Sequence, residues 1–362
     1  MNNAFLNGKL LEEVYMKQPP RFEVCDSEVC NLKKKSLYGL KQALRVWFDT
    51  LKNFLTDVLG FQSCKDNSSL FFKKPQLDVN RGVSGMHVSQ QKYVHELLEW
   101  ENMSNAKLVA TPMICIPTLS SLTGIKLSDG TLYRQIIDGL QYLYLTRSDI
   151  SFAVNKVSQY MYSPHDEHWC AVKRILIYVK GTTDFGLKFQ PSTVTLTGYS
   201  DANWASSLED RKSTFGYCVY FGANLVGWPS KKQTVVSHST IEAEYRSLPN
   251  ATSKLAWFQS LLIEIGVMST GVPTIWCDNV SVVSLAANPV LHARAKYIEI
   301  DLHFVCDRVL RSQLQVNFVL ENDQVADILT KPLSTGSFQR FRDQLSVIAL
   351  TDFEKKNRED VR

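Results

Sequence analysis

The stretch TVTLTGYSDANWA, residues 193–205, decides how the second half of the chain is read. Val194 and Leu196 alternate with threonines, the two-residue period of a half-buried strand. The alternation runs into Asp201, where a strand bound for an interior would keep an apolar side chain. A buried carboxylate without a partner is costly. Asp201 therefore needs a cation from the chain, water, or a metal ion that other acids also hold.

Working outward, the pattern continues as strand, strand, strand, helix, strand, helix, strand, helix. TVTLTGYSD is followed by STFGYCVYF and NLVGWPSKK, with GAN as the turn between the last two. STIEAEYRSLPNATSKLAWFQSLLIEIG reads as a long amphipathic helix carrying Pro249 as an irregularity. TIWCDN is a short strand, SVVSLAAN a short helix and LQVNFVL another strand, and DQVADILTKPL starts a last helix. Acids fall at telling places in this order: Asp201 ending the first strand, Glu244 on the long helix, Asp278 ending TIWCD, and Asp327 on the last helix. Each has apolar neighbours, a context that predicts partial burial. Taken singly, an acid at a strand end is a turn residue or a helix cap. Taken together, four converging carboxylates repel one another, and divalent cations are the usual remedy. Oxygen-only ligands suit magnesium or manganese rather than zinc. Two such ions clamp a phosphodiester for hydrolysis.

Upstream, residues 91–190 read as mainly helical. KYVHELLEWENM, the broken YRQIIDGLQYLYLTRSDISFAVNKVSQYM and HDEHWCAVKRILIYVKGT, stopping at Gly181, are the helices, with MICIPTLSSLTGIKLSDG as loop. Around residues 75–90 the period dissolves in PQLDVNRGVSGMHVSQ, which marks a boundary. Before it, KQALRVWFDTLKNFLTDVLGF reads as a helix ending at Gly60, with Trp47 and Phe48 at core spacing. The charged end DFEKKNREDVR reads as a frayed tail.

Composition excludes more than it selects. The 362 residues leave room for two or three domains, and 44% hydrophobic with 21% charged residues is an ordinary globular balance. Apolar runs such as AVKRILIYV are too short to span a bilayer, and MNNAFLNGKLLEE lacks the form of a secretory signal, so an intracellular protein is expected. The eight cysteines form no CxxC pair, against a zinc or redox motif, and Cys218 and Cys277 read as buried free thiols. A net charge of +4 is compatible with nucleic acid without requiring it.

The wording of these segments is specific. GYSDANWA, DRKSTFGYCVY, WPSKKQTVV, STIEAEYRSL, CDN and ADILTKPL resemble the ribonuclease H region of copia-type LTR retrotransposon Pol polyproteins. NAFLNGKLLEEVYMKQPPRF and LKKKSLYGLKQALRVWFDTL resemble the early part of that family's reverse transcriptase. The helical blocks resemble its connection segment. The resemblance implies an α/β (α+β overall) chain with a ribonuclease H-like mixed five-stranded sheet and helices at the C-terminus. A helical connection region and an incomplete palm and fingers remnant would precede that sheet. The expected divisions are a truncated reverse-transcriptase remnant at 1–77, connection at 78–190, ribonuclease H-like domain at 191–345 and charged tail at 346–362.

The same resemblance implies that Asp201, Glu244, Asp278 and Asp327 are the catalytic, metal-binding acids for two Mg2+ ions, with Mn2+ as a substitute. Glu244 is preferred to Glu242 because it precedes the aromatic; two residues apart on a helix, they do not share a face. The expected partner is an RNA–DNA hybrid, cut by ribonuclease H hydrolysis. Lys231 and Lys232 would meet phosphates, and Ser239 and Thr240 would touch 2′-hydroxyls. A solvated lysine pair and ordinary helix capping explain these four nearly as well. Departures bear on the other activity. The chain starts at MNNAFL, without the Asp that precedes this block in the family, and no Tyr-x-Asp-Asp follows FFKK, where Asp78 is a lone acid. RNA-directed DNA polymerase activity is therefore expected to be absent. Asn203, Tyr297, Cys306 and Pro249 depart from the family pattern in smaller ways. A non-catalytic nucleic-acid-binding remnant and an unstable pseudogene product are the alternatives.

Overall fold

The computed structural model describes residues 77–99, 108–114, 119–121, 123–288 and 299–359, with short pieces at 14–17, 29–32, 48, 52–53, 62–63 and 71–72. The chain falls into two compact units, Met1–Pro75 and Gln76–Arg362. In the first, β1 (Val14–Lys17) pairs antiparallel with β2 (Val29–Leu32), and β3 (Gln62–Ser63) with β4 (Phe71–Phe72). Most of the helix expected over 41–61, with Trp47, lies outside the described residues.

The second unit holds two sheets. The smaller is antiparallel, in the order β14-β7-β6-β5, from β5 (Asp78–Gly82), β6 (Gly85–Ser89), β7 (Phe185–Phe189) and β14 (Val347–Ala349). Residues 77–90, where the sequence period dissolves, hold a hairpin that pairs Asp78 with Ser89 and turns between Gly82 and Gly85. The C-terminus is no frayed tail. Val347 pairs with Leu187, and the helix Leu350–Glu359 buries Phe353 and places Asn357 Oδ1 2.9 Å from the Ser84 amide. Both segments need strands about 100 or more residues away, which no local period reveals.

Between these strands run α1 (Gln91–Glu99), α2 (Thr131–Leu143), α3 (Ser151–Ser158) and α4 (Asp166–Lys180). The larger sheet follows: β8 (Leu196–Asn203), β9 (Thr214–Phe221), β10 (Asn224–Gly227), β11 (Ser230–Lys232), β12 (Thr274–Cys277) and β13 (Gln315–Phe318). Its order is β10-β9-β8-β12-β13, with β11 also on β9. β8, β9 and β10 are antiparallel neighbours, whereas β12 runs parallel to β8 and β13 parallel to β12. That mixed sheet, with α5 (Thr240–Glu264), α6 (Val280–Ala287) and α7 (Glu299–Leu310), has ribonuclease H-like order. The antiparallel strands need only tight turns, while each parallel pairing is reached through a helical crossover. α8 (Thr335–Gln344) and α9 (Leu350–Glu359) close the unit.

Strand alternation on β8 sends successive side chains to opposite faces. On one face Gly198 lies against Leu255 of α5, and the Ser200 and Ser247 hydroxyls are 2.8 Å apart. On the other, Tyr199 packs against a core built from α1–α4, Cys218, Tyr220, Val325, Ile328 and Leu329. The expected division at 190/191 falls within this shared core. α5 runs unbroken through Pro249, and Asn250 Nδ2 donates to the Arg246 carbonyl at 3.0 Å within the turn that the proline disturbs.

One buried ion pair ties the helices together. Arg147, 1% exposed, binds Asp149 through Nε (3.0 Å) and Nη2 (2.8 Å), while its Nη1 donates to the Thr182 carbonyl at 2.8 Å beyond α4. The Tyr178 hydroxyl donates to Asp149 Oδ2 at 2.6 Å. Removing one partner leaves an uncompensated buried charge. Asp149→Ala should therefore lower unfolding free energy by about 3–5 kcal/mol in urea titrations. Asp307→Ala, at an exposed pair, should cost under about 1 kcal/mol.

A second expectation concerns Gly216 on β9, opposite Asp201. A Cβ there would stand 2.6 Å from Leu329 Cβ, so the tight turn Val325–Leu329 can approach only because the position is glycine. Gly216→Ala should cost about 1–3 kcal/mol by the same measurement. Gly227→Ala, whose Cβ would meet nothing closer than 3.6 Å, should cost less.

Candidate active site

The parallel pairing of β8 with β12 sets two strand ends side by side. Asp201 lies on β8, two residues before its end, and Asp278 directly follows β12. α5 begins at its cap Ser239, whose hydroxyl accepts from the Glu242 amide at 3.1 Å, and Glu244 follows in the early turns. Asp327 sits on the Val325–Leu329 3₁₀ turn, not on the last α-helix as its sequence context had predicted. The polar and proline-flanked run ADILTKP is too short to sustain an α-helix before Pro332.

These four elements bring the four acids together. Carboxylate oxygens of Asp201, Asp278 and Asp327 all lie within 4.8 Å of one another. A second group, Glu244, Cys277 and Asp278, meets the same limit, so Asp278 belongs to both. One hard cation bridges such a spread, because ligands on opposite sides of it lie roughly 4–5 Å apart. Oxygen donors of this kind fit such an ion.

The electrostatics follow from crowding. Burial, then Asp278, raises the Asp201 carboxyl above its usual range, although the Thr330 hydroxyl donates to its Oδ2. Burial raises Glu244 to about 7, with Asp278 and Asp201 adding to the shift and the Asn279 amide opposing it. Asp327 is pushed up to about 8 by burial and by Asp201, although Lys331 Nζ stands 2.9 Å from its Oδ1. Its ion pair should hold Asp327 low, but desolvation and the neighbouring acids outweigh one lysine. Lys331 itself is raised: burial would lower it, and Asp201 and Asp327 more than reverse that.

Neutral donors orient the acids. Asn279 Nδ2 donates to Glu244 Oε1 at 3.2 Å, and Gln324 Nε2 to Asp278 Oδ1 at 3.2 Å and to the Ser200 carbonyl at 3.1 Å. Glu242 points elsewhere, with its Oε1 2.8 Å from Arg246 Nη2 and its Oε2 accepting from the His238 amide. Lys231 is exposed on β11, and Lys232 Nζ lies 2.9 Å from Asp210 Oδ1. Ser239 is the helix cap described above, and Thr240 is exposed beside it. Sequence reasoning missed Lys331, Gln324, Thr330, Asn279 and the approach of Cys277 to Glu244. The four-residue step from Asp327 to Lys331 and the adjacency of Cys277, Asp278 and Asn279 were the available signals. Among the described residues no helix is long and apolar enough to cross a membrane.

Residues 1–78 match the family described as reverse transcriptase (RNA-dependent DNA polymerase). The Retrovirus-related Pol polyprotein from transposon RE2 of Arabidopsis thaliana is 42% identical over 398 residues, spanning 96% of this chain and 27% of its own length. The corresponding polyprotein from transposon TNT 1-94 of Nicotiana tabacum is 33% identical over 401 residues, spanning 94% of this chain and 30% of its own. The chain thus spans between a quarter and a third of the length of these relatives. Among solved structures, ribonuclease H1 from Halobacterium salinarum overlaps 38% of this chain and 94% of its own at 15% identity, with a TM-score of 0.26. So slight a superposition carries no weight, and the fold rests on strand order. Over most of its length the chain is a homologue of the copia-type retrotransposon Pol polyproteins.

Proposed function

We propose that this chain hydrolyses the RNA strand of RNA–DNA hybrids at Asp201, Glu244, Asp278 and Asp327, with two divalent cations, Mg2+ or Mn2+, held there. The observation that carries this reading is the convergence of four carboxylates from four separate elements, opposed by a single lysine ion pair. Bound cations of this kind supply an activated water and a Lewis acid for the departing oxygen. Asp278 is common to both ligand groups, so it would help hold the cations, together with Asp201 and Asp327 in one group and Glu244 in the other. Asn279 and Gln324 fix the orientation of Glu244 and Asp278, and Thr330 that of Asp201.

The hybrid would contact exposed Lys231 through phosphate, with Lys232 contributing once freed from Asp210, and Ser239 and Thr240 near the 2′-hydroxyls. We assign the activity to 191–345, supported by the helices of 78–190, in an intracellular setting. No Asp-Asp pair occurs anywhere in the chain, including the stretch after FFKK, so we assign it no nucleotide transfer.

Incubating the purified full chain with a labelled hybrid and Mg2+ should release RNA fragments bearing 3′-hydroxyls. Asp278→Asn should slow release more than about 100-fold, and Asn279→Ala about 10–100-fold. Hybrid retained but uncut at rates matching Asp201→Asn would leave a binding protein without turnover.

Titration supplies an independent check. Glu244 and Asp327 bind protons more tightly folded than unfolded, so the cation-free fold loses stability as pH rises from about 4 to about 8. A cation that keeps these carboxylates charged reverses the loss. Millimolar Mg2+ should therefore raise the melting temperature more at pH 8 than at pH 5, and Asp201→Asn/Asp278→Asn should flatten that difference. An equal Mg2+ effect at both pH values would count against the site.

A further inference from the structure

Cys277 has no part in hard-cation chemistry, yet it is one of the three members of a ligand group. Its thiol is 1% exposed and donates to Glu244 Oε2 at 3.6 Å. Around a tetrahedral zinc, with Zn–S about 2.3 Å and Zn–O about 2.0 Å, sulfur and oxygen stand about 3.5 Å apart. Loss of the thiol proton would leave the pair near that spacing, with an Asp278 oxygen within 4.8 Å of both. Asn279 engages Glu244 Oε1 and Gln324 engages Asp278 Oδ1, each from outside the group, which leaves one oxygen of each acid clear of those donors. Three protein ligands with a fourth position open to water match the donor count of an open zinc site.

We propose that Cys277, Glu244 and Asp278 form a second, soft cation site that takes zinc or cadmium and shares Asp278 and Glu244 with the hard site. Binding breaks the Cys277 S–H bond, forms a sulfur–metal bond and releases the proton to solvent, with no change of oxidation state. Thiolate selects such metals over magnesium. Because the acids are shared, occupation by zinc displaces the hard cations and stops hydrolysis. Only this inhibition rests on the ribonuclease reading; the binding does not.

The test titrates the full chain with Cd2+ and follows the ultraviolet sulfur-to-cadmium charge-transfer band. A band should saturate at one equivalent, fall when excess Mg2+ is added, and be lost in Cys277→Ser, with circular dichroism showing the variant folded. Other thiols, such as exposed Cys170, contribute equally to both proteins and cancel in the comparison. In the cleavage assay, each protein measured against its own zinc-free rate, Cys277→Ser should need about tenfold more Zn2+ for half-inhibition. An equal band in both proteins overturns the site. So does a wild-type band indifferent to Mg2+, a result that needs no variant to fold. A Cys277-dependent, Mg2+-sensitive band in a chain that cuts no hybrid would uphold this site while removing the nuclease.

Discussion

Mutual repulsion among buried carboxylates is the constraint on which the second unit turns. Asp201, Glu244 and Asp327 are each less than 9% exposed, and each is raised above its ordinary range. A fold gains nothing in stability by assembling such a group, since every member loses hydration and faces like charge. The neighbouring donors, Thr330, Asn279, Gln324 and Lys331, relieve only part of that cost. What remains is an electrostatic deficit of the sign that a divalent cation fills. The deficit, more than the identity of any one acid, separates this cluster from an ordinary collection of turn residues.

The cluster is held in place by features that look unremarkable alone. Gly216 admits the turn bearing Asp327 to within contact of β9. The Ser247 hydroxyl donates to the Asp201 carbonyl at 3.1 Å and meets Ser200, locking α5 to β8 near Glu244. Small residues and hydroxyls at these crossings let backbone approach backbone, and the approach sets where the carboxylates end. Strain is not needed to explain it.

Much of this was legible in the sequence, for physical reasons. Period-two alternation marked β8, short apolar runs marked β9 and β12, and amphipathic spacing marked α2, α4 and α5, because burial on one face enforces such periods. Acids breaking such a pattern, as Asp201 and Asp278 do, stand out for the same reason. The hairpin at 78–89 and the closing strand at 347–349 did not stand out. Both join the sheet through β7, which lies far from each along the chain, and the turn residues of the hairpin mimic a linker. Asp327 was found, but its turn was taken for a helix, since a short run of mixed residues does not distinguish 3₁₀ from α geometry. Gln324 carries no signal until the turn has folded, because its partners are the Ser200 carbonyl of β8 and Asp278 just after β12.

The same contacts show why the sheet does not end at its own strands. Val325, Ile328 and Leu329, which flank Asp327, are buried in one cluster with Ile137, Leu140, Ala153 and Val157 of the upstream helices. One acid of the cluster, Asp327, is therefore positioned by segments that precede β8 by dozens of residues. Those helices are in turn tied by Arg147 and Asp149, which join the turn before α3 to the end of α4. A fragment beginning at residue 191 would expose Cys218, Tyr220 and Leu225, and would leave the Asp327 turn with one of its two packing surfaces. The helical segment is better understood as the back wall of the site than as a spacer between two activities. Three of the acids belong to the strands and the long helix, but the fourth is held against that wall.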